Sequence, residues 1–216
     1  MTALAINETE SDLNQDLHAR ARSLEHKYSN LGAQELVSRS ANEIFGERIT
    51  LVSSFGTGSA VLLHMVARAN KRTPVLFVDT GKHFGETLRY RNQLVDLLGL
   101  ENVSSLRPQV DDVSRLDPQG ILFTQNTDAC CAFRKVAPLN LALQEFDAWF
   151  TGRRRDQNDQ RETMTRFEVA NGKIKVNALA NWTSEMVEAY FSEHKLPKHP
   201  LEADGFLSIG WMTCTD

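Results

Sequence analysis

Two adjacent cysteines, Cys130 and Cys131, have the most distinctive chemistry of any residues in this chain. The peptide between neighbouring cysteines holds their sulfurs in poor geometry for a disulfide, so a bond between the two is not expected. Both thiolates can instead reach one multinuclear metal centre, and Arg134 and Lys135 follow closely enough to attract an anionic substrate. On this stretch alone, a simpler interpretation is slightly favoured, namely two small core side chains beside a solvated charge pair.

A run of small residues, Ser53 to Ser59, is a second candidate site. Its sequence is Ser-Ser-Phe-Gly-Thr-Gly-Ser, and it lies between a β-rich run (48–52) and an apolar stretch (60–67) that predicts a buried helix. At a helix N-terminus backbone N–H groups point outward and the helix dipole favours negative charge. Small-residue turns also occur for packing reasons, but this position favours a phosphate or sulfate site. His64, inside the apolar stretch, is predicted to be a hydrogen-bonded core residue.

Two further loops follow apolar strand patterns. Asp79-Thr80-Gly81 comes directly after one strand, and Gly152 to Arg161 comes after another. Ligands of parallel α/β sheets bind beyond the carboxyl ends of the strands, which meet at one edge. The second loop contains three consecutive arginines, Arg153 to Arg155, which are costly if buried and usually solvated if exposed. Because guanidinium forks match phosphate and sulfate bidentately, an oxyanion clamp is the favoured interpretation.

Strand and helix patterns alternate along the chain in the order β-α-β-α-β, which predicts a mostly parallel sheet with right-handed crossovers. Strands are predicted at 48–53, 74–78, 103–106, 148–151 and 173–179. Two helices before residue 46 are expected to pack on the core, after a frayed tail of about ten residues. A helix capped by Thr183 is predicted near the end of the chain. Residues 109–129 are polar and weakly patterned, with turn signals at Asp117-Pro118 and Gly120.

Composition excludes several classes of protein. The 216 residues suffice for one domain, here divided into N-terminal helices (1–46) and a main domain (47–216). A net charge of −4 argues against a general nucleic-acid binder. No apolar run is long enough to span a membrane, and the polar N-terminus lacks a signal-peptide core. Three cysteines, two of them adjacent, argue against a secreted disulfide framework and favour a reducing, cytoplasmic setting.

Taken together, these motifs resemble the assimilatory adenylyl-sulfate and phosphoadenylyl-sulfate reductases. The resemblance extends from about Leu51 to Cys214, and it is specific because six weak motifs occur in the right order. The motifs are Ser53–Ser59, Val78–Gly81, Cys130-Cys131 with Arg134-Lys135, Thr151–Gln157, Lys175–Asn177 and Ser208–Gly210. The family implies an α/β fold of the adenine-nucleotide α-hydrolase type, with a mostly parallel twisted sheet and helices on both faces.

The resemblance also implies a role for each loop. The small-residue loop and the turn after the second strand line the nucleotide site, and basic residues contact the nucleotide or the phosphosulfate. The implied substrate-binding residues are Ser54, Phe55, Gly56, Thr57, Gly58, Ser59, Asp79, Thr80, Gly81, Lys135, Gly152, Arg153, Arg154 and Arg161. The expected ligand is adenylyl sulfate or 3′-phosphoadenylyl sulfate.

In the family, a cysteine thiolate attacks the sulfur of the substrate and releases AMP or its 3′-phosphate. Thioredoxin or glutaredoxin then reduces the resulting S-sulfocysteine and liberates sulfite. Basic residues near a thiolate lower its pKa, and cations around the anhydride stabilise charge on the leaving phosphate. The expected partners are thus the nucleotide and a small redox protein, with no nucleic acid and no membrane; a homo-oligomer is left open.

One glycine separates this interpretation from the related ATP pyrophosphatases. In their Ser-Gly-Gly-x-Asp-Ser loop an acidic residue helps to hold magnesium pyrophosphate, and here that position is Gly58. The absence of this acidic residue argues against cleavage of ATP and favours binding of a sulfonucleotide without a metal. The alternatives are an adenylating enzyme of the ATP-pyrophosphatase type and a non-catalytic nucleotide-binding protein.

The sequence departs from the family at the predicted metal centre. Relatives with the tandem cysteines hold a [4Fe–4S] cluster with four thiolates, of which the second pair is a Cys-x-x-Cys after Ser-Ile-Gly. Here Cys214 matches the second member of that pair, but Trp211 occupies the place of the first. The implied metal ligands are Cys130, Cys131 and Cys214. The family implies a [4Fe–4S] cluster, and the alternatives are an incomplete cluster or none, because Trp211 replaces a ligand. Zinc is a weaker option, since its cysteines are normally spaced.

A second departure concerns the nucleophile. The family's Glu-Cys-Gly-x-His segment, some tens of residues beyond Ser-Ile-Gly, has no match here. No residue is therefore assigned as catalytic, and truncation is preferred over degradation because the sequence stops inside a motif. As given, the chain is expected to bind substrate without turning it over. The cysteine pair favours adenylyl sulfate, although the Ser-Ser-Phe-Gly sequence is compatible with the 3′-phosphorylated substrate.

Overall fold

The computed structural model describes residues 3–157, 159–206 and 209, and it describes residues 3–13 and 160 through their backbone only. Three of the sequence-based assignments therefore lie outside the described residues: Cys214, Trp211, and Ser208 with Gly210. No helix among the described residues is both long and apolar enough to cross a membrane.

A six-stranded sheet forms the centre of the molecule, with the strand order β3-β2-β1-β4-β6-β5. The strands are β1 (Ile49–Ser53), β2 (Val75–Val78), β3 (Val103–Leu106), β4 (Ala148–Phe150), β5 (Phe167–Ala170) and β6 (Lys173–Val176). All neighbouring pairs are parallel except β5 and β6, which form an antiparallel hairpin at one edge. The predicted mostly parallel α/β sheet is confirmed.

Nine α-helices surround the sheet in the described part of the chain. They are α1 (Ala3–Lys27), α2 (Ala33–Arg39), α3 (Ser59–Ala69), α4 (Gly85–Leu98), α5 (Val110–Leu116), α6 (Leu122–Gln125), α7 (Thr127–Cys131), α8 (Ala137–Leu143) and α9 (Ser184–His194). Wider π-helical turns occur at Ser40–Ile44 and Ala132–Val136, and the second of these joins α7 to α8.

Apolar side chains fill both faces of the sheet, because alternate residues of a strand point to opposite sides. Phe77 and Phe150 belong to the large cluster that includes α3, α4 and α9. Leu76 and Trp149, their immediate neighbours, belong to a second cluster with Leu143 of α8. Helices therefore cover both faces, as the sequence predicts.

The N-terminal helices are tied to the hairpin through a buried arginine. Arg166 donates to the carbonyls of Leu31 (3.0 Å) and Tyr28 (2.7 Å), and the backbone N–H of Phe167 donates to Glu25 (3.0 Å). These bonds hold α1 beside β5, so the outermost strand does not present an open edge on that side.

The structure corrects three local predictions. Residues expected to be a frayed tail belong to α1, which begins at Ala3. Residues 109–129 contain α5, α6 and the start of α7. The strand β5 was not predicted; it pairs only with β6 and turns at Asn171-Gly172, where both residues have positive φ. An Asn-Gly turn between two short apolar runs is a recognisable hairpin pattern.

Thr183 caps α9 as predicted, and its side chain accepts a hydrogen bond from Met186 N (3.3 Å). Replacing Thr183 with Ala leaves that N–H without its partner. We expect the free energy of unfolding to fall by about 1 kcal/mol, measured by urea denaturation. Thr163→Ala, at an exposed position, is the matched control, and an equal loss in both variants would contradict the capping role.

Candidate functional site

The order of the strands reverses on either side of β1. From β1 the chain adds β2 and then β3 in one direction, and it later places β4 on the other flank of β1. Crevices at such a reversal, beyond the carboxyl ends of the strands, are where ligands bind in open α/β sheets. Two of the predicted loops meet here: the β1 loop (Ser54–Gly58) and the β4 loop (Thr151–Gln157).

The β1 loop presents its backbone to this crevice. Phe55 has a positive φ of 51° and is fully buried, and its ring packs edge-on against Phe77 at 5.5 Å. Its side chain therefore anchors the loop, and only its backbone can face a ligand. Gly58 has a φ of 38° and precedes α3, whose first turn has no side-chain cap. Such an N-terminus is suited to an anion.

Two glycines of the loop lie close to other parts of the protein. A Cβ on Gly56 would overlap the backbone carbonyl of Ile209, so Ile209 lies directly over this loop. A Cβ on Gly58 would lie 3.6 Å from Nη1 of Arg154. The second contact brings the β1 loop and the β4 loop together, as their positions at one sheet edge predict.

Arg153, Arg154 and Arg161 form one cationic group at the crevice. Arg154 is paired with Asp156 (2.9 Å) and donates to Ser184 (3.2 Å). Arg161 is half-buried and donates to the amide oxygen of Gln157. Burial, followed by repulsion from Arg153 and Arg154, lowers the pKa of Arg161. Among the described residues only Arg154 of the three has a carboxylate partner, so the group carries more positive than negative charge, which favours binding of an anion.

Arg155 does not belong to this group, and the prediction of a clamp of three consecutive arginines is wrong in this respect. Its guanidinium donates to the carbonyl of Met164 (2.7 Å) and to Asn181 (2.7 Å). Its backbone N–H donates to Ala180 (3.0 Å). Arg155 therefore braces the β4 loop against the segment before α9.

The third predicted loop, Asp79–Gly81, lies at the end of β2. Asp79 is buried; it accepts from Gly81 N (3.1 Å) and from Nε of Arg107 (2.8 Å), a residue that directly follows β3. Thr80 is also buried. The side chains of Asp79 and Thr80 thus shape the loop, and Gly81, which is exposed with a φ of 72°, is its most accessible part.

The cysteine helix is joined to this third loop by Arg134. Its guanidinium pairs with Asp117 (2.7 and 3.2 Å) and donates to the carbonyl of Thr80 (2.9 Å). Both side chains of the pair are buried, at 7% and 2% exposure. The expectation that Arg134 offers its charge to a substrate is therefore wrong, because that charge is already neutralised. Lys135, the next residue, is half-buried.

Cys130 and Cys131 end α7, with Cys130 buried and Cys131 half-buried. Successive helical residues are turned by about 100°, so the two thiols are suited to different metal atoms of a multinuclear centre. Among the described residues no three His, Cys, Asp or Glu side chains are grouped as metal ligands. The chain has three cysteines in all, one fewer than the usual set for an iron–sulfur cluster. Its own thiols therefore do not complete that set.

Two residues near the site were not singled out from the sequence. Arg107 could have been, since it follows a predicted strand as the other candidate residues do. Asp117 could not, because its role depends on Arg134, which lies 17 positions further along the chain.

The pair of Asp117 and Arg134 generates a stability prediction. Asp117→Asn leaves a buried guanidinium without its counter-charge, so we expect the free energy of unfolding to fall by about 3 kcal/mol. Asp112→Asn is the matched control, because its pair with Arg115 is exposed and should contribute below about 1 kcal/mol. Urea denaturation of both variants measures the difference, and similar losses would contradict the assignment.

Acid should weaken the same pair. Burial alone would raise the pKa of Asp117, but the hydrogen bond from Leu122 N and the pair with Arg134 outweigh it and lower that pKa. A lowered carboxyl pKa stabilises the fold above the unfolded value, about 3.9, and the contribution is lost as the pH falls further. The stability gap between wild type and Asp117→Asn should therefore narrow below about pH 4.

Comparison with known proteins places these features in a family. Residues 48–216 match the phosphoadenosine phosphosulfate reductase domain. The adenosine 5′-phosphosulfate reductase of Mesorhizobium japonicum is 46% identical over 204 residues, which cover 94% of this chain and 80% of that protein. The phosphoadenosine 5′-phosphosulfate reductase of Gloeobacter violaceus is 37% identical over 190 residues, covering 85% of this chain and 78% of that protein.

Solved structures agree with the sequence match. The phosphoadenylyl-sulfate reductase of Candida auris, in its phosphate complex, superposes with a TM-score of 0.78 and 26% identity, covering 91% of this chain and 96% of that one. An FMN adenylyltransferase of Candida glabrata has a TM-score of 0.57 at 14% identity, covering 91% of this chain and 73% of that one, and shares the fold alone. The resemblance found in the motifs is confirmed: the chain belongs to the phosphoadenosine phosphosulfate reductase domain family.

Proposed function

We propose that this chain binds a sulfonucleotide in the crevice between the β1 and β4 loops and acts in the reduction of adenylyl sulfate or phosphoadenylyl sulfate. The observation that supports this most directly is the cationic group of Arg153, Arg154 and Arg161, placed where the strand order reverses. Only Arg154 of the three has a carboxylate partner among the described residues. The names of the relatives point to the same class of substrate.

Each part of the crevice has a distinct task in this proposal. The backbone N–H groups of the β1 loop and of the N-terminus of α3 donate hydrogen bonds to the oxygens of one phosphate group. Gly152, which is exposed beside Leu62 at the rim, leaves room for the ligand. Arg153 and Arg161 contact the phosphosulfate, where guanidinium groups stabilise the charge that develops on the leaving phosphate. Gly81 and Lys135 extend the site towards the nucleotide.

The proposed reaction is a reductive transfer in two steps. A cysteine thiolate attacks the sulfur of the phosphosulfate, the S–O bond to phosphate breaks, and AMP or its 3′-phosphate leaves with the electron pair. A dithiol protein, thioredoxin or glutaredoxin, then reduces the S-sulfocysteine to a thiol, releases sulfite and becomes a disulfide. We do not assign the attacking thiolate to Cys130, Cys131 or Cys214. A reducing cytoplasmic location suits this chemistry.

We propose Cys130, Cys131 and Cys214 as ligands of an iron–sulfur centre, which would supply electrostatic or redox chemistry beside the third loop. The chain's cysteines leave one ligand to come from elsewhere. Chain purified anaerobically should therefore hold less than a full complement of four iron and four sulfide per chain, as measured by iron and acid-labile sulfide assays. A full complement would show that a non-cysteine ligand completes the cluster.

Adenylyl sulfate is the proposed preferred substrate over its 3′-phosphorylated form. The tandem cysteines support this choice, and so do two relatives named adenosine 5′-phosphosulfate reductase at 46% and 44% identity. A relative named for the phosphorylated compound is 37% identical. The two substrates differ by a single 3′-phosphate, so competitive titration separates them directly.

ATP-dependent adenylation is the second candidate, favoured only by the shared fold of the FMN adenylyltransferases. Two carboxylates at this sheet edge are already in ion pairs, Asp79 with Arg107 and Asp156 with Arg154. Gly58 supplies no carboxylate at all. The described residues around the crevice therefore offer little for a magnesium pyrophosphate complex, which needs oxygen ligands.

Arg161→Gln and Arg153→Gln test the proposed site. Each removes a charge-assisted contact to the phosphosulfate, and we expect the affinity for adenylyl sulfate to fall about tenfold or more in isothermal titration. Arg115→Gln, at an exposed ion pair on α5, is the matched control and should bind as wild type does.

The same titration decides between the two candidate functions. Wild-type chain should bind adenylyl sulfate at least about tenfold more tightly than ATP with magnesium. Tighter binding of magnesium ATP would overturn the reductase proposal. Unchanged affinity in both arginine variants would instead remove the β4 loop from the site and leave the family assignment intact.

A further inference from the structure

A second cavity lies at the opposite edge of the sheet from the crevice. It has a volume of about 290 Å³ and is lined by the last turns of α3, α4 and α9. This volume is at the lower end of the range for ligand pockets, roughly 300–1,000 Å³. Because α3 begins at the β1 loop and Arg68 is nine residues further on, the cavity lies about 14 Å from the crevice along that helix.

Positive side chains dominate the lining of this cavity, which we name the basic pocket. Arg68, Lys71 and Lys195 contribute three cations, and His64 and His194 contribute two imidazoles; the remaining lining residues are Ala67, Leu97, Leu98 and Leu196. All three cations are exposed, and none forms an ion pair with a residue that the structure describes. Three unpaired cations around one small cavity are unusual in a chain of net charge −4.

Two imidazoles lie beside these cations. His64 Nδ1 lies 2.9 Å from the hydroxyl of Tyr190, and the rings of His64 and His194 lie 4.7 Å apart. Burial, followed by the charges of His194 and Arg68, lowers the pKa of His64. Glu193 lies 3.8 Å from His194 Nε2, but its side chain is 74% exposed and screens the pocket weakly. His64, predicted from the sequence as a core residue, is thus half-buried at a polar cavity.

Helix dipoles do not account for these charges. Cations are common near helix C-termini, and Lys71 lies beside Gly99 at the end of α4, with its Nζ 3.1 Å from a Cβ placed there. Each helix end carries roughly half a negative charge. The three ends therefore balance only about half of the charge that the three side chains bring.

We propose that the basic pocket is a second anion site, distinct from the crevice, which binds a small oxyanion of the phosphate or sulfate class. Arg68, Lys71 and Lys195 hold the oxygens from three sides. His64 Nε2, which makes no hydrogen bond to a described residue, adds a further contact. The volume of about 290 Å³ limits the ligand to a phosphate or sulfate group with, at most, a short apolar substituent.

Inorganic phosphate is the probe, and the ring signals of His64 and His194 in NMR spectra are the measure. Phosphate should shift these signals saturably in the wild-type chain. In the double variant Lys71→Gln/Lys195→Gln the apparent affinity should fall about tenfold or more. Arg22→Gln, at an exposed position on α1, should leave the titration unchanged.

Further variants keep the test decisive. Arg161→Gln should leave the histidine shifts intact, since that residue belongs to the crevice. Loss of the shifts in Arg161→Gln would assign them to the crevice and overturn the proposal. The proposal would also be overturned if the wild-type chain showed no saturable shifts, or if the double variant bound phosphate as tightly as the wild type. If the double variant does not fold, Arg68→Gln replaces it with the same expected loss of affinity.

Discussion

The position of β1 in the sheet determines where a ligand can bind. Because β1 pairs with β2 on one side and with β4 on the other, the loops that follow β1 and β4 lie side by side at the point where the strand order reverses, which is where ligands bind in open α/β sheets. The N-terminus of α3, the cationic β4 loop and the turn after β2 all face this region only because their strands are parallel and adjacent. A different strand order with the same loops would separate them.

Ion pairs and hydrogen bonds within the protein determine which arginine side chains are available to a ligand. Arg134 and Arg155 are committed to the protein, the first to buried Asp117 and the second to Met164 and Asn181. Arg153 and Arg161 are not matched by carboxylates among the described residues, and their mutual repulsion is the cost of keeping them together. A bound phosphosulfate would relieve that repulsion, so ligand affinity and local destabilisation have the same origin.

The sequence was sufficient for the mostly parallel sheet and for the small-residue turns that follow its first strands, because buried strands and such turns have strong local patterns. It did not predict which of the arginines lie at the crevice and which is bonded elsewhere in the protein. Arg153, Arg154 and Arg155 are chemically identical neighbours, and only the packing of the β4 loop against Ala180 and Asn181 directs one of them away from the crevice. The basic pocket was equally hidden, since Arg68, Lys71 and Lys195 come together only when three helices end at one place.

Gly58 shows how backbone and electrostatics act at one position. Its φ of 38° favours glycine, and its Cα faces Arg154 so closely that a Cβ would lie 3.6 Å from the guanidinium. A carboxylate here, as in the related pyrophosphatases, would be placed to pair with that arginine and to lower the positive potential of the crevice. It would also place negative charge at the N-terminus of α3, the end of a helix that is otherwise suited to an anion. Glycine at this position therefore allows the left-handed conformation of the loop and adds no negative charge beside Arg154.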